Sequence, residues 1–175
     1  MPDRNEVVSF AIAAFATAGD ILINGADAKH LAAFLKKVEE VGGSYEIKSS
    51  GIRFFGKKHY RSLRVDTAPH PGFMTDWQQP FCVLLTQATG ESIIHETIYE
   101  DRFGYTKDLN RMGARIMVSD ECLGMDSCRF QGRTFNHSVR IQGPTKLQGA
   151  EVLMQDIRAG MAHIIAALAA EGQAL

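Results

Sequence analysis

The sequence predicts an α/β domain built from repeated units of helices and strands. Three observations support this prediction: apolar runs of helical length recur, each begins close to an aspartate and ends close to a glycine, and a short strand-like segment follows. With 175 residues, the chain is long enough for one domain with a substantial core. We therefore expect a single domain over residues 1–175.

The first predicted unit spans about residues 1–66. Its opening helix begins at Asp3, a preferred N-cap residue type, and ends before Gly19, which is expected to take the left-handed conformation. A strand follows, and the segment "ADAKHLAAFLKKVEEVGG" then predicts a second helix that ends at Gly42. The segment "SYEIKSSGIRFF" completes the unit as strands.

The second predicted unit, residues 67–143, repeats this order. Its first helix is expected to be capped by Asp76 and to end before Gly90, and its second, "TKDLNRMGA", ends at Gly113. A strand "SLRVDTA" precedes the unit, "ARIMVSD" predicts a strand after its second helix, and "SVRIQGPTKLQGAEVLM" supplies the strand that precedes the third unit.

The third predicted unit, residues 144–175, is partial. It contains one helix, capped by Asp156 and ending before Gly172, and the sequence stops where its strand should begin. Because unpaired sheet edges are a liability, we expect the chain to be an excised piece of a longer protein.

Composition excludes several classes of protein. The chain is 45% hydrophobic and 22% charged with a net charge of -1, which is typical of a globular domain and gives no general attraction to nucleic acid. No apolar stretch approaches the roughly 20 residues needed to cross a bilayer, so no membrane segment is predicted. Three cysteines without a secretory signal favour a reducing, cytoplasmic location over a disulfide framework.

A polar segment over residues 119–138 contains Cys122, Cys128 and His137, all potential metal ligands. Their spacing is not that of a zinc knuckle, so an ordinary insertion between strands is favoured and no metal site is predicted. Cys82 occupies an apolar position of a helix and is interpreted as a small buried hydrophobe.

The segment "IIHETIYEDRFGY" is a candidate ligand contact. Tyr99, Glu100, Asp101 and Arg102 follow the predicted strand, and α/β proteins commonly place binding residues on the loop after a strand. An aromatic ring beside an arginine would suit a nucleobase with a phosphate nearby. The alternative is a surface loop with local ion pairs.

Two arginines lie where helix formation alone does not favour them. Arg4 and Arg158 occupy the first turns of two predicted helices, where a cation opposes the helix dipole. If the helix starts converge, these arginines and the free N–H groups would form an anion site.

Four segments, "APHPGFMTDWQQPF", "HETIYEDRF", "DLNRMGA" and "KLQGAEVLMQDIRAG", resemble consecutive parts of the enolpyruvyl transferase family, in particular its UDP-N-acetylglucosamine 1-carboxyvinyltransferases. The resemblance covers essentially the whole chain, although the insertion at residues 119–138 is longer than in many members. It implies an inside-out α/β barrel of βαβαββ units, with helices inside and sheets outside. This chain would be most of one such domain, incomplete at both ends.

The resemblance implies transfer of the enolpyruvyl group of phosphoenolpyruvate to the 3-hydroxyl of UDP-N-acetylglucosamine, with release of phosphate and without a cofactor, in bacterial peptidoglycan synthesis. An alcohol needs a base to take its proton, and Asp76 matches that position as well as a sugar contact. Ile98 matches a position that binds the UDP-sugar largely through its backbone. Further matching substrate-binding positions are Tyr99, Arg102, Arg4, Asp156 and Arg158.

The same resemblance places the remaining substrate-binding groups in another domain, so the isolated chain is expected to be inactive. Two alternatives remain open from the sequence. One is a relative of 5-enolpyruvylshikimate-3-phosphate synthase, and the other is a non-catalytic UDP-sugar-binding or scaffolding domain with the same fold.

Overall fold

A computed structural model describes residues 3–152 and 157–173, and it confirms the predicted mixture of helices and strands. The first half of the chain contains α1 (Arg4–Ala16), β1 (Asp20–Asn24), α2 (Ala32–Val41), β2 (Ser44–Lys48) and β3 (Gly51–Phe55). The second half contains β4 (Tyr60–Arg61), β5 (Arg64–Asp66), α3 (Gln78–Thr86), β6 (Ala88–His95), α4 (Thr106–Arg111), β7 (Ile116–Ser119), β8 (Ser138–Gly143) and α5 (Ile157–Ala169).

The ends of the first two helices follow from local sequence. The Asp3 carboxylate accepts a hydrogen bond from the Asn5 N–H at 2.8 Å, which confirms the predicted N-cap of α1. The left-handed residue after α1 is Ala18, with φ of 52°, and not the predicted Gly19. Gly42 ends α2 with φ of 89°, a conformation that glycine adopts without steric strain.

The strands form two open sheets, and no closed barrel is present in the described ranges 3–152 and 157–173. The first sheet has the order β1-β3-β2, is antiparallel, and brings Ile23 and Ile47 opposite Ile52. In the second sheet β6 pairs in parallel with β4 and β5 and antiparallel with β8, and β7 pairs with the other edge of β8. In each sheet, therefore, the last strand in sequence lies between two earlier strands.

The core lies between these sheets and a group of three helices. Helices α1, α3 and α5 contact one another, α1 also packs on β1 and β3, and α3 packs on β6 and β8. Every residue of α3 is buried, as expected for a helix that is apolar nearly all round. Aromatic side chains of Phe34, Phe73, Trp77 and Phe81 meet edge to face at the start of α3.

The prediction that Asp76 caps α3 is wrong. A short 3-10 helix, Thr75–Trp77, precedes α3, and the α3 N-cap is Trp77, which makes no side-chain cap. The Asp76 carboxylate is instead paired with Arg102. The prediction that Gly90 directly follows the helix is also wrong, because Gly90 lies inside β6. Asp156, the third predicted cap, lies outside the described residues.

None of the helices in the described part of the chain combines the length and the apolar character that crossing a membrane requires.

Candidate functional site

The 3-10 helix before α3 and the loop after β6 meet through a charged pair. One Arg102 guanidinium nitrogen, Nη2, donates to Asp76 Oδ1 at 2.5 Å, and Nη1 donates to the Thr75 hydroxyl at 2.8 Å. The Arg102 side chain is only 8% exposed, whereas that of Asp76 is 34% exposed. The pair therefore fixes the aspartate while leaving it accessible to solvent.

The fully buried carboxylate of Glu96 is linked to this pair through Thr75. Its Oε2 accepts from the Thr75 hydroxyl at 2.8 Å, and its Oε1 accepts from the Thr67 hydroxyl at 2.9 Å. The backbone N–H groups of Ile98 and Tyr99 also donate to Oε1, at 2.8 and 3.2 Å. A continuous set of hydrogen bonds thus runs from Glu96 through Thr75 to Arg102, and a buried carboxylate with four donors is well compensated.

The loop after β6 is fixed on its outer side as well. The Tyr99 ring is 52% exposed and lies over the Arg102 guanidinium, with 4.8 Å from the ring centroid to Cζ. Arg129 donates to the carbonyl oxygens of Thr97 and Ile98 at 3.3 and 3.5 Å. The predicted contact between an aromatic ring and an arginine is therefore present, between Tyr99 and Arg102 of the loop after β6.

A surface pocket of about 370 Å³ opens beside Asp76. It is lined by Asn5, Glu6, Ser9 and Phe10 of α1, by Asp76 and Pro80, and by Met161 of α5. The Trp77 indole N–H donates to Asn5 Oδ1 at 3.1 Å and so ties the start of α1 to the start of α3. Residues of the three helices α1, α3 and α5 therefore border one concave surface.

The structure brings together only part of the predicted site. Asp76, Ile98, Tyr99 and Arg102 lie on adjoining segments, as described above. Arg4 is half-buried in the first turn of α1, next to the pocket residue Asn5. Arg158 lies in the first turn of α5, and Asp156 lies outside the described residues.

Sequence reasoning missed Glu96 and Thr75. Glu96 follows an apolar strand directly, within "IIHETIYEDRF", and an acidic residue at the end of a buried strand is a signal that could have drawn attention to it. Thr75 carried no such signal, because its role depends on a partner 21 residues away.

The loop between β7 and β8 contains a crosslink, contrary to the expectation that the cysteines are reduced. A disulfide joins Cys122 to Cys128, and His137 lies beside both sulfurs. Asp66 Oδ2 accepts from the backbone N–H groups of Met125 and Asp126, at 2.7 and 3.2 Å. Cys82, as predicted, is a buried free thiol, and burial raises its pKa to about 12.

Comparison with known proteins defines the class of protein. Residues 1–175 match the EPSP synthase (3-phosphoshikimate 1-carboxyvinyltransferase) family along their whole length, and the chain belongs to that family. It is 49% identical over 171 residues to the UDP-N-acetylglucosamine 1-carboxyvinyltransferase of Protochlamydia amoebophila (strain UWE25) and 45% identical over 175 residues to that of Chlamydia trachomatis serovar D. These matches confirm the resemblance that the four segments predicted.

The alignments cover 97% and 99% of this chain but only 37% and 39% of the two relatives. Among solved structures, the enolpyruvyl transferase NikO from Streptomyces tendae superposes with a TM-score of 0.81 at 24% identity, covering 97% of this chain and 37% of that one. EPSP synthase from Acinetobacter baumannii gives 0.62 at 19% identity, covering 95% and 37%. At these identities the two structures establish the fold alone.

Proposed function

We propose that this chain is part of a bacterial transferase that moves the enolpyruvyl group of phosphoenolpyruvate to the 3-hydroxyl of UDP-N-acetylglucosamine and releases phosphate, an early step of peptidoglycan synthesis in the cytoplasm. Two relatives with that name, at 49% and 45% identity, support the proposal. Because the chain spans 37% and 39% of these relatives, activity requires the part of the enzyme that it lacks.

The observation that carries the proposal is the Asp76–Arg102 pair at the edge of the pocket. The 3-hydroxyl attacks the enol phosphate carbon of phosphoenolpyruvate as its proton leaves, so a base within hydrogen-bond reach must accept that proton, and a carboxylate can do so. Arg102 holds Asp76 through Oδ1 alone, and within the described residues no hydrogen bond is made to Oδ2. In this assignment Oδ2 receives the proton of the 3-hydroxyl.

Arg102 serves as a positioning residue in this scheme and not as a phosphate ligand. Each terminal nitrogen donates one hydrogen bond, Nη1 to Thr75 and Nη2 to Asp76, and the side chain is almost fully buried, so a phosphate has little access to the remaining N–H groups. Tyr99 covers the guanidinium and presents an exposed ring face at the same edge. That ring is the better candidate for contact with a nucleobase.

Ile98 can reach a ligand through its carbonyl oxygen but not through its N–H. The N–H is already donated to Glu96 at 2.8 Å, whereas among the described residues the carbonyl oxygen accepts only from Arg129, at 3.5 Å. A nucleotide-sugar N–H or hydroxyl could displace that weak contact. Arg4 and Arg158 complete the proposed anion-binding face at the helix starts, and Asp156 stays a proposed substrate-binding residue.

The repeat organisation is part of the same proposal. Units over residues 1–66 and 67–143 are supported by the order helix, strand, helix, strand, strand in both, and by the central position of β3 and β8 in the two sheets. The contact between α1, α3 and α5 with sheets packed outside them supports an inside-out arrangement. Residues 144–175 would begin a third unit.

The test is a phosphate-release assay on this chain fused to the remaining length of the Protochlamydia relative, with phosphoenolpyruvate and UDP-N-acetylglucosamine. Asp76→Asn keeps an acceptor for Arg102 but cannot take a proton, so we expect kcat to fall by about 100-fold or more, the usual effect of removing a general base. Glu91→Gln, an exposed acid of β6 that pairs with Arg140 away from the pocket, is the control and should retain full activity. A normal rate for Asp76→Asn, with unchanged thermal stability, would remove Asp76 from the base role.

Three other outcomes bear on the proposal and its alternatives. Turnover by the isolated chain would contradict the requirement for a second part. Binding of shikimate 3-phosphate in preference to the UDP-sugar would assign the chain to the other branch of the family. Binding of the UDP-sugar by a fusion that never turns over would favour a non-catalytic domain.

A further inference from the structure

The loop between β7 and β8 assembles three metal-ligand side chains that the proposed reaction does not use. Cys122, Cys128 and His137 bring their sulfur and nitrogen atoms within 4.8 Å of one another. His137 Nε2 lies 3.6 Å from the sulfur of Cys122 and 3.6 Å from that of Cys128. The two sulfurs are joined as a disulfide in this state of the chain.

The tautomer and orientation of His137 in the metal-free chain already suit metal binding through Nε2. His137 Nδ1 lies 3.0 Å from the Phe135 carbonyl oxygen, which can only accept, so Nδ1 carries the proton and Nε2 presents its lone pair to the sulfurs. The imidazole is fully buried, and the rings of His95, Phe130 and Phe135 surround it at 5.3, 5.5 and 6.0 Å between centroids. This packing fixes the ring orientation.

The loop is also held close to the strands beneath it. A side chain at Gly124 would place its Cβ 2.4 Å from His95 Cδ2 and 2.8 Å from Asp66 Oδ2, so only glycine permits this approach. Together with the hydrogen bonds from Met125 and Asp126 to Asp66, it keeps the segment between the two cysteines against the sheet. Reduction of the disulfide therefore does not release the cysteines from the neighbourhood of His137.

Two of the three donor spacings fit a tetrahedral ion, and the two sulfurs, bonded to each other in the disulfide, must separate to about 3.8 Å after reduction. Zinc binds thiolate sulfur at about 2.3 Å and imidazole nitrogen at about 2.0–2.1 Å, so a sulfur and a nitrogen on one tetrahedral ion lie about 3.6 Å apart. Both sulfur-nitrogen distances already have this value. We propose that, in the reduced chain, Cys122, Cys128 and His137 bind one Zn²⁺ ion.

The donor set selects the class of ion. Two thiolates and an imidazole favour zinc over magnesium or calcium, which prefer oxygen ligands. Cys122 is exposed, so the fourth position is open to water. Metal binding converts the two thiols to thiolates and releases two protons. Disulfide formation releases two protons and also two electrons. The same two sulfurs therefore either bind the metal or form the disulfide, but not both.

The bound ion would act on the loop that borders the candidate active site. Arg129, directly after Cys128, donates to the carbonyl oxygens of Thr97 and Ile98. A crosslink at Cys128, whether a disulfide or a metal, fixes the position of this arginine. The site is thus a structural clamp, and its existence does not depend on the proposed transferase reaction.

Cobalt titration tests the proposal directly. The full chain is reduced with a water-soluble phosphine, which supplies two electrons and becomes its oxide, and is then freed of reagent without air. Addition of Co²⁺ should give one equivalent of a tetrahedral spectrum with thiolate-to-cobalt charge transfer, and Zn²⁺ should displace it, since zinc binds such sites more tightly. The same chain in its disulfide form is the control and should give no such spectrum.

Variants locate the site. Changes to groups that only contact metal ligands typically weaken metal binding by roughly 10- to 100-fold. Cys122→Ser and Cys128→Ser remove a ligand near the surface, so each should weaken Co²⁺ binding by more than that. Cys82→Ala, which alters the buried thiol of α3, should bind as the wild type does. A reduced chain that gives no thiolate charge transfer, or cysteine variants that bind cobalt as tightly as the wild type, would overturn the proposal.

Discussion

Replacement of Glu96 by glutamine tests whether the buried carboxylate organises the candidate site. Glutamine has the same shape, and its carbonyl oxygen can replace Oε1 and keep the hydrogen bonds from Thr67, Ile98 and Tyr99. The amide nitrogen then takes the place of Oε2. The Thr75 hydroxyl donates to Oε2 in the wild type, but it cannot donate to an amide nitrogen. The change therefore removes one hydrogen bond to a charged acceptor and weakens three others.

A hydrogen bond to a charged group contributes about 1.5–3 kcal/mol, so we expect Glu96→Gln to lower the free energy of unfolding by about that amount. Glu91→Gln is the matched control, because Glu91 lies in β6, the strand that Glu96 directly follows, and pairs with Arg140 at 3.3 Å on the surface. An exposed pair of this kind contributes only about 0–1 kcal/mol.

Urea unfolding followed by the fluorescence of Trp77 measures both variants. Trp77 is the single tryptophan, is 1% exposed and precedes α3 beside the site, so its emission reports on this region. The midpoint should move clearly for Glu96→Gln and little for Glu91→Gln, with an unchanged urea dependence. Equal small shifts for the two variants would refute the view that Glu96 holds the loop and the 3-10 helix together.

Two further predictions concern buried titratable groups. Because burial raises the pKa of Cys82 to about 12, iodoacetamide should leave it unmodified in the native chain and modify it in urea, as read by peptide mass; rapid native labelling would contradict its burial. Burial also lowers the pKa of His95, against the attraction of Asp66. Below about pH 6.5 the unfolded chain then binds a proton that the folded chain does not, so the free energy of unfolding should fall as pH drops toward the folded pKa. Urea unfolding should show less of this loss in His95→Asn, and an equal loss in both chains would assign it to other groups.

Elements with local causes were predicted well from the sequence. The Asp3 cap involves an N–H two residues away, and Gly42 ends α2 through its own conformation. The hairpin of β2 and β3 likewise follows from a short strand pattern with a two-residue turn. Such interactions are encoded within a few residues, so periodicity and residue type are sufficient to find them.

Asp76 shows where local reasoning fails. A side chain before an apolar helix has the position of a cap, but a guanidinium 26 residues later binds it instead, and the helix begins two residues further on. A charged hydrogen bond with a nearly buried arginine is stronger than an exposed cap, and no local pattern reveals it.

The sequence by itself determined the α/β class, the order of the elements, the family and the segments that carry the candidate substrate contacts. Only the tertiary structure decided how those segments meet: Glu96 beneath Thr75 and Arg102, the pocket between the helix starts, and the approach of His137 to Cys122 and Cys128. The physical reason is how far apart in sequence the interacting residues lie. Helix ends and turns arise from neighbours in sequence, whereas the pairing of β6 with β8 and the packing of α1, α3 and α5 bring distant side chains into contact.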